Sequence, residues 1–455
     1  MSGRTQAEEN NNDGRSGNDF SRGSIARNIL NLAIPMTLAQ LINILYNVVD
    51  RMYIGRLPEN ATLSLTGLGL CMPIISAVIA FANLFGMGGA PLCSIARGAG
   101  DVKRAEKIMG NSFTLLLMTG VILMAFCYLT MRPMLYLFGA SDQTYPYAQA
   151  YLSVYLTGTL FVMISLGMNN FINAQGFGRM GMMTVIIGAA LNIILDPIFI
   201  FLLHMDVKGA ALATVLAQGV SAAGIALYGW RRGPLLRLER RHCKVSRGGL
   251  GRIVNYSLLT CVQQSVMNFG ILMVQGLVNS FGVNVMAAFA AAVKIDAFAY
   301  LPVQDFGNAF STFVAQNTGA QKTERIRRGI RSAVGVSIGF RLVSSLLVCL
   351  FAAPLMGLFV EPGETEIIAV GGEYLRIEGM CYCGIGILFL LYGLFRGLGR
   401  PGVSVVLTVI SLGTRVALAY LLAPIPAIGL PGIWWAIPIG WGLADAGGLV
   451  VYRLR

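Results

Sequence analysis

Asp50 stands near the end of a long apolar stretch, NILYNVVDRMYIG, and it is not alone on its face. Thr37, Gln40, Asn43, Asn47 and Asp50 follow one another at steps of three, three, four and three, which puts them on one side of a helix. Two later apolar stretches carry matching groups. Asn192 and Asp196 are four apart in LNIILDPIFI, and Thr214 and Gln218 are four apart in the next, so each pair shares a face. A carboxylate at membrane depth costs roughly 3 kcal/mol or more, and such acids usually mark ion or substrate paths. Carboxylate, amide and hydroxyl oxygens are hard donors suited to a sodium ion. Two neighbouring carboxylates in an apolar setting equally suit a proton. The residue types leave both ions open. Asn192, Thr214 and Gln218 by themselves would serve as well to tie helices together; the two acids turn the balance toward function.

Depth groups these residues. The first and fifth apolar stretches run outward and the sixth runs back. At about 1.5 Å per residue, Asp50, Asp196 and Thr214 come within roughly 3 Å of one level. The second half of the chain offers a different set: Gln263, Gln264, Asn268, Lys294, Asp296, Gln304, Asp305, Asn308, Glu378 and Arg415. Gln264, Asn268, Lys294, Asp296, Asp305 and Glu378 are candidates to line a cavity, with Lys294 also expected to neutralise an acid and Glu378 to pair with Arg415. Apolar Val274 stands near the position that would answer Asp50, so ion coupling is assigned to the first half.

The elements that position these groups are membrane spans. The chain has 455 residues, 55% hydrophobic and 12% charged, with mean hydropathy +0.67. Soluble domains carry about 25% charged residues. Apolar runs of spanning length recur at 29–55, 62–92, 108–130, 147–176, 180–203, 208–230, 251–281, 285–315, 329–351, 369–396, 401–423 and 431–453. The expected fold is all-α, with twelve transmembrane helices in two pseudo-symmetric six-helix lobes. These are a first lobe over 25–230 and a second over 251–455, joined by a basic linker at 231–250 and preceded by a polar, disordered tail at 1–24.

The net charge of +13 sits in alternate short loops, which points to membrane orientation rather than nucleic acid and puts both termini in the cytoplasm. Short loops suggest a prokaryotic plasma membrane. Eight cysteines lie mostly inside apolar runs, and the two histidines, His204 and His242, lie in loops. That pattern supports no disulfide framework, no zinc or iron centre and no catalytic set. The expectation is a non-enzyme and a monomer, with no cofactor beyond H+ or Na+, whose partners are small organic molecules and the bilayer.

The halves repeat. ARGAGDVKRAEKIMG (96–110) is echoed by AQNTGAQKTERIRRG (315–329), with Gly100 set against Gly319. QGFGRMG (175–181) is echoed by RGLGRPG (396–402), and VKGAALA (207–213) by LPGIWWA (430–436). Six spans per repeat give both halves the same orientation, and such parallel repeats suit alternating access.

LAIPMTLAQLINILYNVVDRMYIG, ARGAGDVKRAEK, QGFGRMG and ALNIILDP, with VAQNTGAQK and LFRGLGRPG in the second half, resemble the multidrug and toxic compound extrusion (MATE) family. The resemblance implies export of organic, often cationic, compounds against inward H+ or Na+, by rocking of two lobes. It also implies coupling at Asp50, Asn192, Asp196 and Thr214, the residues that would hold Na+, with a hinge at Pro35; the spacing argument adds Gln40, Asn43, Asn47 and Gln218 as supporting polar residues. A family branch with a seventh-helix glutamate finds Gln263 and Gln264 here, which argues against that kind of site. A lipid-linked precursor flippase of related design, expected to have a cationic cavity, and an ion channel are the alternatives.

Overall fold

The computed structural model describes residues 18, 20–57, 60–231, 247–361 and 363–454. The described residues are built from helices alone: α1 (Ile25–Ile54), α2 (Ala61–Gly98), α3 (Val102–Leu137), α4 (Tyr145–Thr157), α5 (Thr159–Ala174), α6 (Gly178–Pro197), α7 (Asp206–Arg231), α8 (Arg247–Asn279), α9 (Val283–Gly319), α10 (Thr323–Met356), α11 (Thr365–Met380), α12 (Tyr382–Gly397), α13 (Pro401–Leu422) and α14 (Gly429–Arg453). A π-helical turn, Ile198–Leu202, extends α6 just past Pro197. Most of the basic linker, with His242, and nearly all of the polar tail lie outside the described residues.

Nine of these helices are long and apolar enough to cross a bilayer singly, and two bent pairs raise the number to eleven. The twelfth expected span is α14, whose 25 residues would reach about 37 Å at 1.5 Å per residue. Its Trp434, Trp435 and Trp441 lower its hydropathy without shortening it. The fourth and tenth spans are corrected from single helices to pairs: α4 and α5 meet at 57° across Gly158, and α11 and α12 at 56° across Cys381. The same bend at the same place in each half is the repeat expressed as structure.

The turns adjust the register of that repeat. Chain reversal after α2 uses Gly100 with φ +77°, and the matching reversal after α9 uses Gln321 with φ +56°. The structural partner of Gly100 is therefore Gln321, two residues beyond the Gly319 expected from motif matching. Likewise Gly176 (φ +86°) answers Gly399 (φ +82°). Glycine takes the left-handed region freely, and a helix end needs only that one residue in it. A match of letters fixes the turn but not which letter turns.

Contacts divide the chain into two compact units, residues 1–19 with 35–258, and residues 20–34 with 259–455. Helix α1 is shared between them at Pro35, although the sequence alone assigns all of 25–34 to the first lobe. In the second unit Phe20 is fully buried, its ring edge-on to Phe313 at 6.3 Å. Arg325 donates to the carbonyls of Phe20, Arg22 and Gly23, and Asn317 to that of Phe20. The segment 20–24, expected to belong to a free tail, is therefore anchored.

Within each unit glycine brings two helices into contact. A Cβ on Gly86 of α2 would meet the Gly167 carbonyl oxygen of α5 at 2.7 Å, and one on Gly393 of α12 would meet the Gly307 oxygen of α9 at 2.3 Å. Small residues at such crossings let backbones approach closely in a membrane, where packing rather than water exclusion holds helices together.

Candidate functional site

The periodicity of α6 places Asn192 and Asp196 one above the other, and both are buried, at 1% and 0% exposure. The amide of Asn192 donates from Nδ2 to Asp196 Oδ1 and to Thr214 Oγ1 on α7, each at 3.3 Å. Asp50 of α1 is buried and lies close enough to Asp196 for the two carboxylates to act on one another. Four residues from three helices thus form one cluster.

Three oxygens in the cluster, Asp50 Oδ1, Asn192 Oδ1 and Asp196 Oδ2, are buried without a hydrogen-bond partner among the described residues. Leaving a buried acceptor unpaired costs about 1–3 kcal/mol, so each of the three is an acceptor open to a ligand. Oxygens from two carboxylates and an amide, with the Thr214 hydroxyl beside them, fit a proton or a hard cation. No group of three or more His, Cys, Asp or Glu side chains suited to a transition metal occurs among the described residues.

A polar cavity of about 40 Å³ adjoins the cluster, lined by Asn43, Tyr46, Asn169, Asn192, Thr214 and Gln218 among others. A water needs roughly 10–15 Å³ on this measure, and a drug-sized ligand occupies a far larger pocket. The cavity admits a small hydrated ion or a few waters, not a drug. Its walls are ordered by their own bonds. Ser165 donates to Gln218 Oε1. Asn169 donates to the Gly181 carbonyl at 3.0 Å and to Thr184 at 3.2 Å, and Ser221 donates to the Thr184 carbonyl at 2.9 Å.

The α1 stripe divides on inspection. Asn43 lines the cavity. Gln40 and Asn47 are exposed, and Asn47 donates to the Asn43 carbonyl at 2.6 Å; Gln40 has no place in the cavity wall. Tyr46 does, and it lies near Asn47, Gln218 and both acids. Its position, three after Asn43 and four before Asp50, was open to the same periodicity, yet an aromatic residue reads as packing. Pro35 is buried within an unbroken α1.

The second unit gathers a separate charged cluster. Asp296 accepts from the Tyr382 hydroxyl at 2.6 Å and interacts with Glu378, Arg341 and Arg415. The expected Glu378–Arg415 couple is thus part of a larger group that includes Arg341 of α10, a fully buried residue that the sequence analysis does not single out. Lys294 is exposed and does not line the chamber around Asp296; the cations acting on Asp296 are Arg341 and Arg415, in place of the expected Lys294. Asn268 is also exposed and Gln264 half-buried. Neither they nor Asp305 line the chamber around Asp296; Asn308 instead accepts from Arg396 at 2.8 Å.

Comparison with known proteins agrees with the geometry. The chain is 26% identical over 438 residues to the multidrug export protein MepA of Staphylococcus haemolyticus (strain JCSC1435), covering 96% of this chain and 95% of that protein. It is 25% identical over 397 residues to the probable multidrug resistance protein YpnP of Bacillus subtilis (strain 168), covering 86% and 87%. A crystal structure of MATE in the bent conformation superposes with a TM-score of 0.88 at 26% identity, covering 96% of each chain. The family profile called MatE matches twice, at residues 35–198 and 259–421, once in each half that the repeated turns and bends had marked out. The chain belongs to the MatE family.

Proposed function

We propose that the protein is a multi-pass membrane exporter of organic, often cationic, compounds, driven by inward movement of H+ or Na+ through Asp50, Asn192, Asp196 and Thr214. The observation that supports this reading is that Asp50, Asn192 and Asp196, grouped in one part of the first unit, each keep an unpartnered buried oxygen, with a cavity of ion size reaching Asn192. The names of the relatives, multidrug export and multidrug resistance proteins, supply the cargo class.

The cycle follows from the charges. A cation entering the cluster neutralises the mutual repulsion of Asp50 and Asp196 and completes the ligation of Asn192. The state that closes this oxygen cluster binds the ion most tightly. Export requires the drug to favour the other state, because coupling is a difference in affinity between states. Pro35 breaks the hydrogen-bond ladder of α1, which makes α1 the element that can bend as Asp50 gains or loses its ion. The protein acts as a monomer in the plasma membrane, with both termini in the cytoplasm and no catalytic chemistry.

Reconstitution in proteoliposomes, with proton and sodium gradients imposed separately, tests the reading. The expected result is efflux of a cationic dye driven by at least one gradient, with the ion moving in exchange. Ion flow without any exchange would make the protein a channel and overturn the proposal.

A further inference from the structure

We infer that the second unit carries, at one end of its helices, a binding groove for the headgroup of an anionic phospholipid. The groove, of about 1010 Å³, is formed by the α9–α10 turn, the start of α10, the α12–α13 turn and the last turn of α14. Helix α12 packs against both α10 and α14, so the groove runs between those two with the end of α12 beneath. Its volume matches that of the larger small-molecule pockets, near 1,000 Å³.

The charge in the groove has one sign. Its charged lining groups are Arg327, Arg331 and Arg453, and no Asp or Glu lines it. Arg327 and Arg331 stand four apart on α10, so they share a face and repel one another. The acid of that helix, Glu324, pairs instead with Arg328 at 3.4 Å, and Arg328 is no part of the groove. None of the three groove arginines has an ion-pair partner among the described residues. Arg453 reaches the same space from a different helix, α14. Setting the sidedness of a membrane chain requires positive loops but not the convergence of their charges; three unmatched guanidinium groups around one concavity call for an anion.

The rest of the lining selects the anion. Guanidinium forks match phosphate oxygens in pairs. Between the arginines lies an apolar floor of Ile326 and Phe395, both buried, with Ile330 and Leu398 half-buried beside them. A free phosphate would occupy the arginines and leave that floor in water. A phospholipid places its phosphate on the arginines and covers the floor with its glycerol backbone and first methylenes, which removes apolar surface from water. The hydroxyls of Thr318 and Tyr452, which also line the groove, are donors and acceptors for a polar headgroup. A choline headgroup would bring its own cation among three arginines; a glycerol headgroup brings none.

The inference rests on the reading of the chain as a multi-pass membrane protein whose basic turns face the headgroups of the cytoplasmic leaflet. Its test measures binding with no gradient present, so failure of ion coupling at Asp50 leaves the outcome untouched. The full chain, purified in detergent, is titrated with dimyristoyl phosphatidylglycerol and separately with dimyristoyl phosphatidylcholine, and bound lipid is counted by native mass spectrometry. Phosphatidylglycerol is expected to bind at least about tenfold more tightly, and Arg327→Gln to weaken it about fivefold, the effect of one basic residue at an anionic surface. Combining Arg327→Gln with Arg331→Gln should weaken it by more than about tenfold. Arg328→Gln removes the same charge from the same helix outside the groove and should change the affinity by less than about twofold. Inorganic phosphate and glycerol 3-phosphate in large excess are expected to leave the lipid bound; displacement by either would make the groove a site for soluble phosphates and overturn the lipid assignment. Equal affinity for the two lipids, no binding of either, or equal losses in Arg328→Gln and Arg327→Gln would overturn the inference and leave the arginines as markers of orientation. The substituted arginines are exposed, so each variant should elute as a monodisperse peak; should one not fold, the comparison of lipids and the phosphate competition on the unaltered protein decide instead.

Discussion

Asn192 reaches from α6 to Thr214 on α7, its Nδ2 lying 3.3 Å from the threonine Oγ1. The same nitrogen serves Asp196, so the amide is held with its oxygen turned away from both partners and free. Thr214→Val keeps the shape of the side chain and removes the acceptor. The amide then loses its hold, and the apparent affinity of the transporter for its coupling ion should fall about tenfold, in line with a buried hydrogen bond worth 1–3 kcal/mol. Thr214→Ser should recover most of it. Efflux from proteoliposomes as a function of ion concentration reads both; an unchanged affinity in Thr214→Val would remove Thr214 from the site.

Gln40 provides the contrast. It shares the helical face of Asp50 but is exposed and apart from the cavity wall. Gln40→Leu should leave the ion affinity within about twofold, the range of a substitution that touches nothing special. A larger loss in the same assay would place the ion path along the whole stripe rather than at its outer end.

Gly393 is the tightest of the helix contacts between α9 and α12. A methyl group there meets the Gly307 oxygen at 2.3 Å, whereas one on Gly413 meets nothing within 4 Å. Gly393→Ala should destabilise the protein by about 1–3 kcal/mol; Gly413→Ala should not. Thermal unfolding of the two variants in one detergent gives the comparison, and equal midpoints would refute the close crossing.

Phe20 precedes the first span yet is buried completely, against Phe313 and under the bonds of Arg325 and Asn317. Phe20→Ala should cost about 3–5 kcal/mol, the usual range for a buried phenylalanine, and should expose the segment to protease. A wild-type unfolding midpoint would mean that the segment is not docked.

What the sequence made visible, and what it hid, follows from the physics of helices. Asp50, Asn192, Asp196 and Thr214 stood out because acids and amides in apolar runs are rare and because period and depth can be counted from letters. The bends at Gly158 and Cys381 were hidden, since hydropathy runs straight through them. Lys294 looked like a buried counter-charge on count alone, but helical phase turns it outward while Arg341 turns in. Tyr46 and Ser165 were passed over because a tyrosine or serine becomes part of a site only through its neighbours on other helices. Gly319 was matched to Gly100 because glycine is conspicuous; the residue that takes up the turn is Gln321, which no composition rule singles out.

The central claim is that Asp50 couples export to ion entry. Asp50→Asn retains the size of the side chain and removes its charge. In proteoliposomes carrying an ion gradient that drives the wild type, Asp50→Asn should bind a cationic drug but lose gradient-driven efflux by tenfold or more, on the order of the weight placed on an intramembrane acid. Efflux by Asp50→Asn at the wild-type rate, under the same gradient, would contradict the account.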